Sequence, residues 1–329
     1  MKSFSYMDIA MAKNINLTEL AKRAGVSLTT ASRAFNNHPY VAENIRQKVF
    51  QVATEMNYCP KITAKRKRLG VIVSGLGQTQ VNFYQSAMLF EISRQCGALG
   101  IGIEIFTTKD LDLVDENFLR AVLVFQESFS ADLSKIKNAK IVGINTNIPN
   151  APCIFSDDEQ GIKVVMDYLK SKGIKQPGLL LPHKSATGHV ADRENYFKKY
   201  AIENNYSSDD DFIIYAKNGL ENELKKIIYE KKVDALFVGG EDMALQVNCL
   251  LYQMGIKVPE DISIFSFDSS EISQYMTPPY SSISQNYEAL VSEALTLVTN
   301  ILDGKENPAN YQKKIPFLFN ERQSIKCKI

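Results

Sequence analysis

The tripeptide Gly25-Val26-Ser27, set between two short runs of helical apolar spacing, constrains the fold of this 329-residue chain more than any other feature. Before it, Asn16 with Glu19 three residues on makes a capping box, and Leu17, Leu20, Ala21 and Ala24 fall on one face of a helix over about Leu17 to Ala24. Gly25 supplies the positive φ that ends this helix, and Val26 plugs the angle that follows. Ser27 caps a second helix, Leu28 to Phe35, with Ala31, Ala34 and Phe35 inward and Leu28, Thr29, Ser32 and Arg33 outward. A third helix, Glu43 to Met56, closes a small core with Ile45, Val49, Val52 and Met56. A helix pair of this form places its second helix in the DNA major groove, where Arg33 is the side chain able to hold a guanine bidentately.

Charge separates this head from the rest. Residues 1 to 68 hold twelve Lys/Arg against four Asp/Glu and the remainder 26 against 33, so a net charge of +1 divides into about +8 and about −7. A basic head on an acidic body implies a polyanion at one end only. Five cysteines, far apart and without a Cys-x-x-Cys pair, indicate neither a disulfide framework nor a zinc knuckle. No apolar run approaches the ~18 residues of a membrane span, and no signal core follows the first residues, so a cytoplasmic location is expected. With Met11-Ala12-Lys13 repeating a start-like pattern, residues 1–13 read as a disordered extension or a misplaced start.

From Leu69 onward, apolar runs alternate with amphipathic stretches. Leu69 to Ser74, Ile101 to Thr107, Ala121 to Phe125 and Lys140 to Asn145 read as strands of one half; Pro177 to Leu181, Phe212 to Ala216, Ala235 to Val238 and Ile262 to Phe267 read as strands of a second. Buried strands alternating with helices of ~10 to 15 residues predict doubly wound parallel sheets covered on both faces. Two halves make two lobes, and the cleft at the carboxyl ends of their strands is the expected ligand site. Gly75-Leu76-Gly77 lacks the third glycine of a dinucleotide fingerprint, Gln80 standing there, and Gly239-Gly240-Glu241-Asp242 is a cyclase-like tetrapeptide leaving a strand, without a phosphate-binding partner motif. His38, His183 and His189 have no metal-ligand spacing and no Gly-x-Ser-x-Gly elbow exists, so neither catalysis nor a cofactor or metal is expected.

Val26-Ser27-x-x-Thr30-Ala31-Ser32-Arg33, then Asn36, Val41, Arg46, Val49 and Tyr58-x-Pro60, resembles the head of the lactose/galactose repressor (LacI/GalR) family in register throughout. The body continues the resemblance with Asp157-Asp158-x-x-Gly161, where the family has Asp-Asn-x-x-Gly, and with Gly255-x-x-x-Pro259-x-Asp261-Ile262-Ser263-Ile264-x-x-Phe267-Asp268. Pro278-Pro279-x-x-Ser282-Ile283-x-Gln285 and Arg322-x-Ser324 complete it. The resemblance implies a three-helix head (14–59), a basic hinge (60–68) and a two-lobed body (69–329) like that of periplasmic sugar-binding proteins. Lobe one is expected at about 69–153 and 286–312, and lobe two at about 154–285 and 313–329. It further implies a homodimeric repressor of carbohydrate genes on a palindromic double-stranded operator, with a sugar or sugar derivative as effector. A purine or partner-protein effector, or a binding protein without operator function, stays open. No heptad tail follows Ser324, so tetramers through a C-terminal coil are not expected.

Carried over position by position, the DNA-binding residues are Ser27, Leu28, Thr29, Thr30, Ser32, Arg33 and Asn36, with Lys65, Arg66, Lys67 and Arg68 of the hinge. The effector residues are Phe83, Tyr84, Asn145, Asp157, Arg193, Glu241, Asp242, Asp268 and Gln285. Asp268 stands where the family places the acid that accepts ligand hydroxyls, and Arg193 where it places an Arg that reaches the ligand. Four departures stand out. Ala42 replaces the usual Ser or Thr cap of helix three, Tyr196 replaces a Gly, and Glu241-Asp242 replaces Asn-Asp. The hinge is also short, with Lys67 where the family wedges a Leu into the minor groove.

Overall fold

The computed structural model describes residues 16–35, 40–56, 58, 67–73, 83–125, 132–186, 188–240, 243–268 (268 by backbone alone), 272–308 and 310–326. The head is three helices, α1 (Leu17–Ala24), α2 (Leu28–Phe35) and α3 (Glu43–Glu55). Asn16 Oδ1 accepts from the Glu19 amide at 2.9 Å, Gly25 adopts φ 66°, and Ser27 Oγ accepts from the Thr30 amide at 3.0 Å. Leu20, Ala24, Ala31, Ala34 and Val49 are fully buried where the helices cross. Ala42 starts α3 in an extended conformation with no side-chain cap.

The body consists of two six-stranded sheets. Sheet one runs β11-β5-β4-β3-β1-β2, with β1 (Arg68–Val73), β2 (Gly102–Thr107), β3 (Ala121–Phe125), β4 (Lys140–Ile144), β5 (Cys153–Ser156) and β11 (Gln312–Ile315), all parallel. Sheet two runs β12-β10-β9-β8-β6-β7, with β6 (Pro177–Leu181), β7 (Ile213–Tyr215), β8 (Ala235–Val238), β9 (Ser263–Asp268), β10 (Ser281–Ser284) and, antiparallel at the edge, β12 (Leu318–Asn320). The chain crosses between lobes after Ser156, Ser284 and Ile315; the first and third crossings fall three residues beyond the expected 153 and 312, because β5 and β11 pair as the last strands of sheet one.

Strand alternation explains the layering. Val71 and Leu123 point to the face covered by α4 (Phe83–Ala98) and α10 (Tyr287–Leu302), whereas Ile72, Val122 and Val124 point to the face where the short α5 (Asp112–Glu116) places Val114. In lobe two, Leu179, Phe237 and Phe265 meet α6 (Asp158–Ser171) and α7 (Gly188–Glu203). On the other face, Leu180, Leu236 and Ile264 meet α8 (Leu220–Lys225) and α9 (Met243–Gln253). Each such side chain contributes roughly 1.5–3 kcal/mol of burial, which is why the strands read as continuous apolar runs. Among the described residues no helix is long and apolar enough to cross a membrane.

Candidate functional site

Two surfaces carry chemistry. On the head, small residues bury one side of α2 and leave the other open: Ala31 and Ala34 are inaccessible while Leu28, Thr29 and Arg33 are exposed, and Thr30 and Ser32 are half-buried at the flanks. Ser27 is spent on the cap, its Oγ also lying 2.8 Å from Thr30 Oγ1. Asn36, Lys65 and Arg66 lie outside the described residues. Lys67 and Arg68, expected to face DNA, are instead tied to lobe one. Lys67 Nζ lies 2.7 Å from Asp303 Oδ1, and Arg68 pairs with Glu104 while its Nη2 donates to the Asn117 carbonyl at 2.6 Å. Arg68 is the first residue of β1 rather than the end of a free hinge, because sheet register carries it into the body.

The second surface lies between the lobes, at the carboxyl ends of the strands. Asn145, just past β4, is buried with φ 51°, a left-handed conformation that Asn tolerates better than most residues. Its Nδ2 donates to Gln285 Oε1 at 2.7 Å and to the Tyr84 hydroxyl at 3.3 Å, and its Oδ1 accepts from the Ser156 amide at 2.7 Å. Ser156 Oγ donates to Gln285 Oε1 at 2.8 Å. Asn145, Ser156 and Gln285 thereby knit β4 to two of the three crossing segments. Tyr84 is buried against Phe125 and Tyr287, at ring distances of 6.2 and 6.1 Å, and its neighbour Phe83 is half-buried.

Across the cleft, α6 and α7 bring three charged or ionisable side chains together. Arg193 Nε donates to Asp158 Oδ1 at 3.2 Å, Arg193 Nη1 donates to the Gly239 carbonyl at 3.0 Å, and the guanidinium lies over the Phe267 ring. His189 hydrogen-bonds through Nδ1 to the other oxygen of Asp158, and its Nε2 lies 3.3 Å from the Asn145 carbonyl of lobe one, so this ring touches both lobes. Burial alone raises the Asp158 carboxyl, but the Arg193 charge and the bonds and charge from His189 outweigh it and hold it below the usual carboxylate range. Asp157, expected at the ligand, is the helix cap of α6: its Oδ1 accepts from the Gln160 amide at 3.2 Å. Its neighbour Asp158 is the one that turns inward.

Glu241 and Asp242 lie outside the described residues, as does the Asp268 side chain; the Asp268 backbone ends β9, beside Ser284. Tyr196, in place of a Gly, packs against the lobe-two core. Sequence reasoning missed Ser156, Asp158 and His189. His189 and Arg193 are four apart on one helix and so share a face, which was the available signal. Among the described residues no cluster suits a metal ion.

Residues 16–61 match the family model for bacterial regulatory proteins of the lacI family, and residues 166–325 match the periplasmic binding protein-like domain. The chain is 25% identical to a probable HTH-type transcriptional repressor, ExuR, of Bacillus subtilis (strain 168), over 89% of this chain and 96% of that one. It is 23% identical to the HTH-type transcriptional repressor PurR of Vibrio cholerae serotype O1 (strain M66-2), over 94% and 98%. Among solved structures, the lac repressor dimer bound to operator and the anti-inducer ONPF superposes with TM-score 0.66 at 20% identity, over 95% of this chain and all of that one. The complex of the regulator CelR with cellobiose superposes with TM-score 0.67 at 18% identity, over 94% and 99%. The chain thus joins a helix-turn-helix head of the lacI family of bacterial regulatory proteins to a periplasmic-binding-protein-like body of two parallel-dominated sheets.

Proposed function

We propose that this protein is a ligand-responsive repressor acting in the cytoplasm, which grips a palindromic operator as a homodimer and changes that grip when a sugar or sugar derivative enters the interlobe cleft. It acts by binding, with no catalytic step and no cofactor. The observation that carries this reading is the open face of α2 on a head joined to a body that gathers Asn145, Gln285, His189 and Arg193 between its two lobes. The relatives named as repressors support it, and the cellobiose complex of CelR supports a carbohydrate effector.

In this reading Leu28, Thr29 and Arg33 read base edges, Thr30 and Ser32 position the helix on phosphates, Ser27 caps that helix, and Asn36, Lys65 and Arg66 add contacts to the DNA backbone. Lys67 and Arg68 anchor the join to the body. Effector contacts fall to Arg193, Asp268, Glu241, Asp242 and the Phe83-Tyr84 pair, with Asn145 and Gln285 tying together the segments that cross between the lobes and Asp157 capping α6. Operator and effector must then alter each other's affinity by equal factors.

A mobility-shift assay on duplexes selected from a random library tests the DNA half: wild type should bind one palindromic sequence, and Arg33→Ala should lose affinity on the order of tenfold, as one bidentate base contact predicts. Equal, sequence-independent binding by both proteins would sink the regulator reading. A thermal-shift panel of sugars, sugar phosphates and purines tests the effector half. Stabilisation by guanine or hypoxanthine and by no sugar would replace the carbohydrate with a purine.

A further inference from the structure

The head core contains one ring that does not belong to the head. Phe118, in the turn between α5 and β3 of lobe one, meets Phe35 and Phe50 edge-on, each at 5.2 Å between centroids. Phe35 is the last residue of α2 and stacks on Phe50 of α3 at 5.6 Å, with Tyr58 tilted against it at 5.7 Å. The body thus completes an aromatic cluster at the end of the helix that carries Arg33. Edge-to-face rings at this separation are a favoured arrangement, so the contact is directional as well as apolar.

The backbone beneath that ring is in an unusual state. Phe118 has φ 53°, a left-handed conformation that costs a bulky residue energy and that Gly or Asn adopts more easily. Such a conformation persists where the surroundings over-determine it, and here they do. The Asn117 carbonyl accepts from Arg68, Asp115 accepts from the amides of Lys137 and Asn138 at 2.9 and 3.1 Å, and Arg120 caps the end of α10 through the Ile301 and Leu302 carbonyls. The turn is a fixed mount on lobe one. A cavity of about 330 Å³ beside it, walled by Ala53 and Thr54 of the head and by Lys137 and Asn138 of the body, leaves room for the two to shift against each other.

We propose that the surface of lobe one around Phe118 is the docking seat of the chain's own head, and that this contact, added to the short linker, sets where α2 stands in the dimer. The occupant is the head because the seat is already completed by Phe35, Phe50 and Tyr58, and because docking leaves Leu28, Thr29 and Arg33 exposed for DNA. β3 gives the seat a route to the cleft: Phe125 at its far end packs on Tyr84, which hydrogen-bonds Asn145. The consequence for DNA rests on the proposed operator binding, but the docking itself does not.

The experiment uses the full chain as wild type, Phe118→Ala, Phe118→Leu and Phe118→Gly, the last suiting the left-handed backbone and so sparing the fold of lobe one. Hydrogen exchange without DNA reads docking directly: amides of α2 and α3 should exchange faster in the Ala and Gly variants and near wild type in the Leu variant. Unchanged exchange in Phe118→Gly would overturn the seat whether or not any duplex is ever selected. On a palindromic duplex chosen by wild type from a random library, Ala and Gly should lose at least tenfold in affinity, yet stay within twofold on the same duplex with one half-site scrambled, since only paired heads need fixed spacing. Equal loss on both duplexes would overturn the spacing role, as would wild-type affinity of Phe118→Gly for the palindrome.

Discussion

The guanidinium carbon of Arg193 lies 3.7 Å from the centre of the Phe267 ring, nearly sealed from water, with Asp158 at its edge. Among the described residues a cation so placed is held by the ring face, by the Gly239 carbonyl and by the Asp158 carboxylate, which is shared with His189. Asp158, His189 and Arg193 are therefore interdependent, and removing one weakens the hold on the other two.

Asp158→Asn should destabilise the protein by roughly 3–5 kcal/mol in urea unfolding, the usual result of removing one member of a buried ion pair. Asn has nearly the shape of Asp, so the substitution is sterically mild; a loss under about 1 kcal/mol would mean that the remaining contacts, the Phe267 face and the Gly239 carbonyl among them, suffice for Arg193.

The same carboxyl has its pKa lowered in the fold, so its contribution to stability is present above the unfolded value near 3.8 and is lost as pH falls through the lower folded value. The stability difference between wild type and Asp158→Asn should narrow below about pH 4, as the carboxylate is lost. A difference that instead narrows between about pH 7 and 6 would assign the effect to another group.

Ala42→Ser should stabilise the head by about 1 kcal/mol, because Ala42 already has the extended conformation of an N-cap and lacks only the oxygen that accepts from the first turn of α3. Calorimetry on the full chain checks this. An unchanged head transition would show that Asn44, whose Oδ1 accepts from the Ile45 amide at 2.8 Å, already serves that turn equally well.

Two glycines should respond with opposite signs to alanine. A Cβ at Gly161 would stand 2.7 Å from Phe317 Cδ2 and 3.2 Å from Ile283 Cδ1, and the Phe317 ring is itself packed 5.0 Å from Phe267, so Gly161→Ala should cost about 1–3 kcal/mol. A Cβ at Gly97, in α4, meets nothing within 4 Å, and Gly97→Ala should gain up to about 1 kcal/mol. Chemical denaturation of both variants gives the signs.

Burial pushes the Cys96 thiol up to about 11 and also raises that of Cys153, whereas Cys249 is exposed. Brief alkylation of the native protein at about pH 8, read by peptide mass spectrometry, should therefore modify Cys249 and spare Cys96 and Cys153, since the thiolate is the reactive form. Comparable labelling at Cys96 would reveal opening of lobe one.

The head was legible residue by residue because its determinants are local: Asn16, Gly25 and Ser27 each act within one helical turn, and the three helices fall within one residue of the spacing that predicts them. The strands of the body were legible as apolar runs, and their alternation with helices implied parallel sheets. Strand order, and the crossings after Ser156 and Ile315, depend on pairing between distant segments and left no local trace.

What the sequence by itself determined is the family, the helix-turn-helix and the cleft at the strand ends, since these follow from short-range spacing and from residue types that a given backbone requires. Tertiary structure alone decided which partner each charge takes. Asp157 and Asp158 are adjacent, but the turn of α6 makes one a cap and buries the other against Arg193 and His189. Lys67 and Arg68 read as DNA contacts until the fold sets Asp303 and Glu104 beside them. Phe118, distant in sequence from both helices it touches, enters the head core only because the fold carries the α5–β3 turn there. A side chain's type is local, whereas the identity of its nearest opposite charge or open hydrophobic socket is a property of the folded chain.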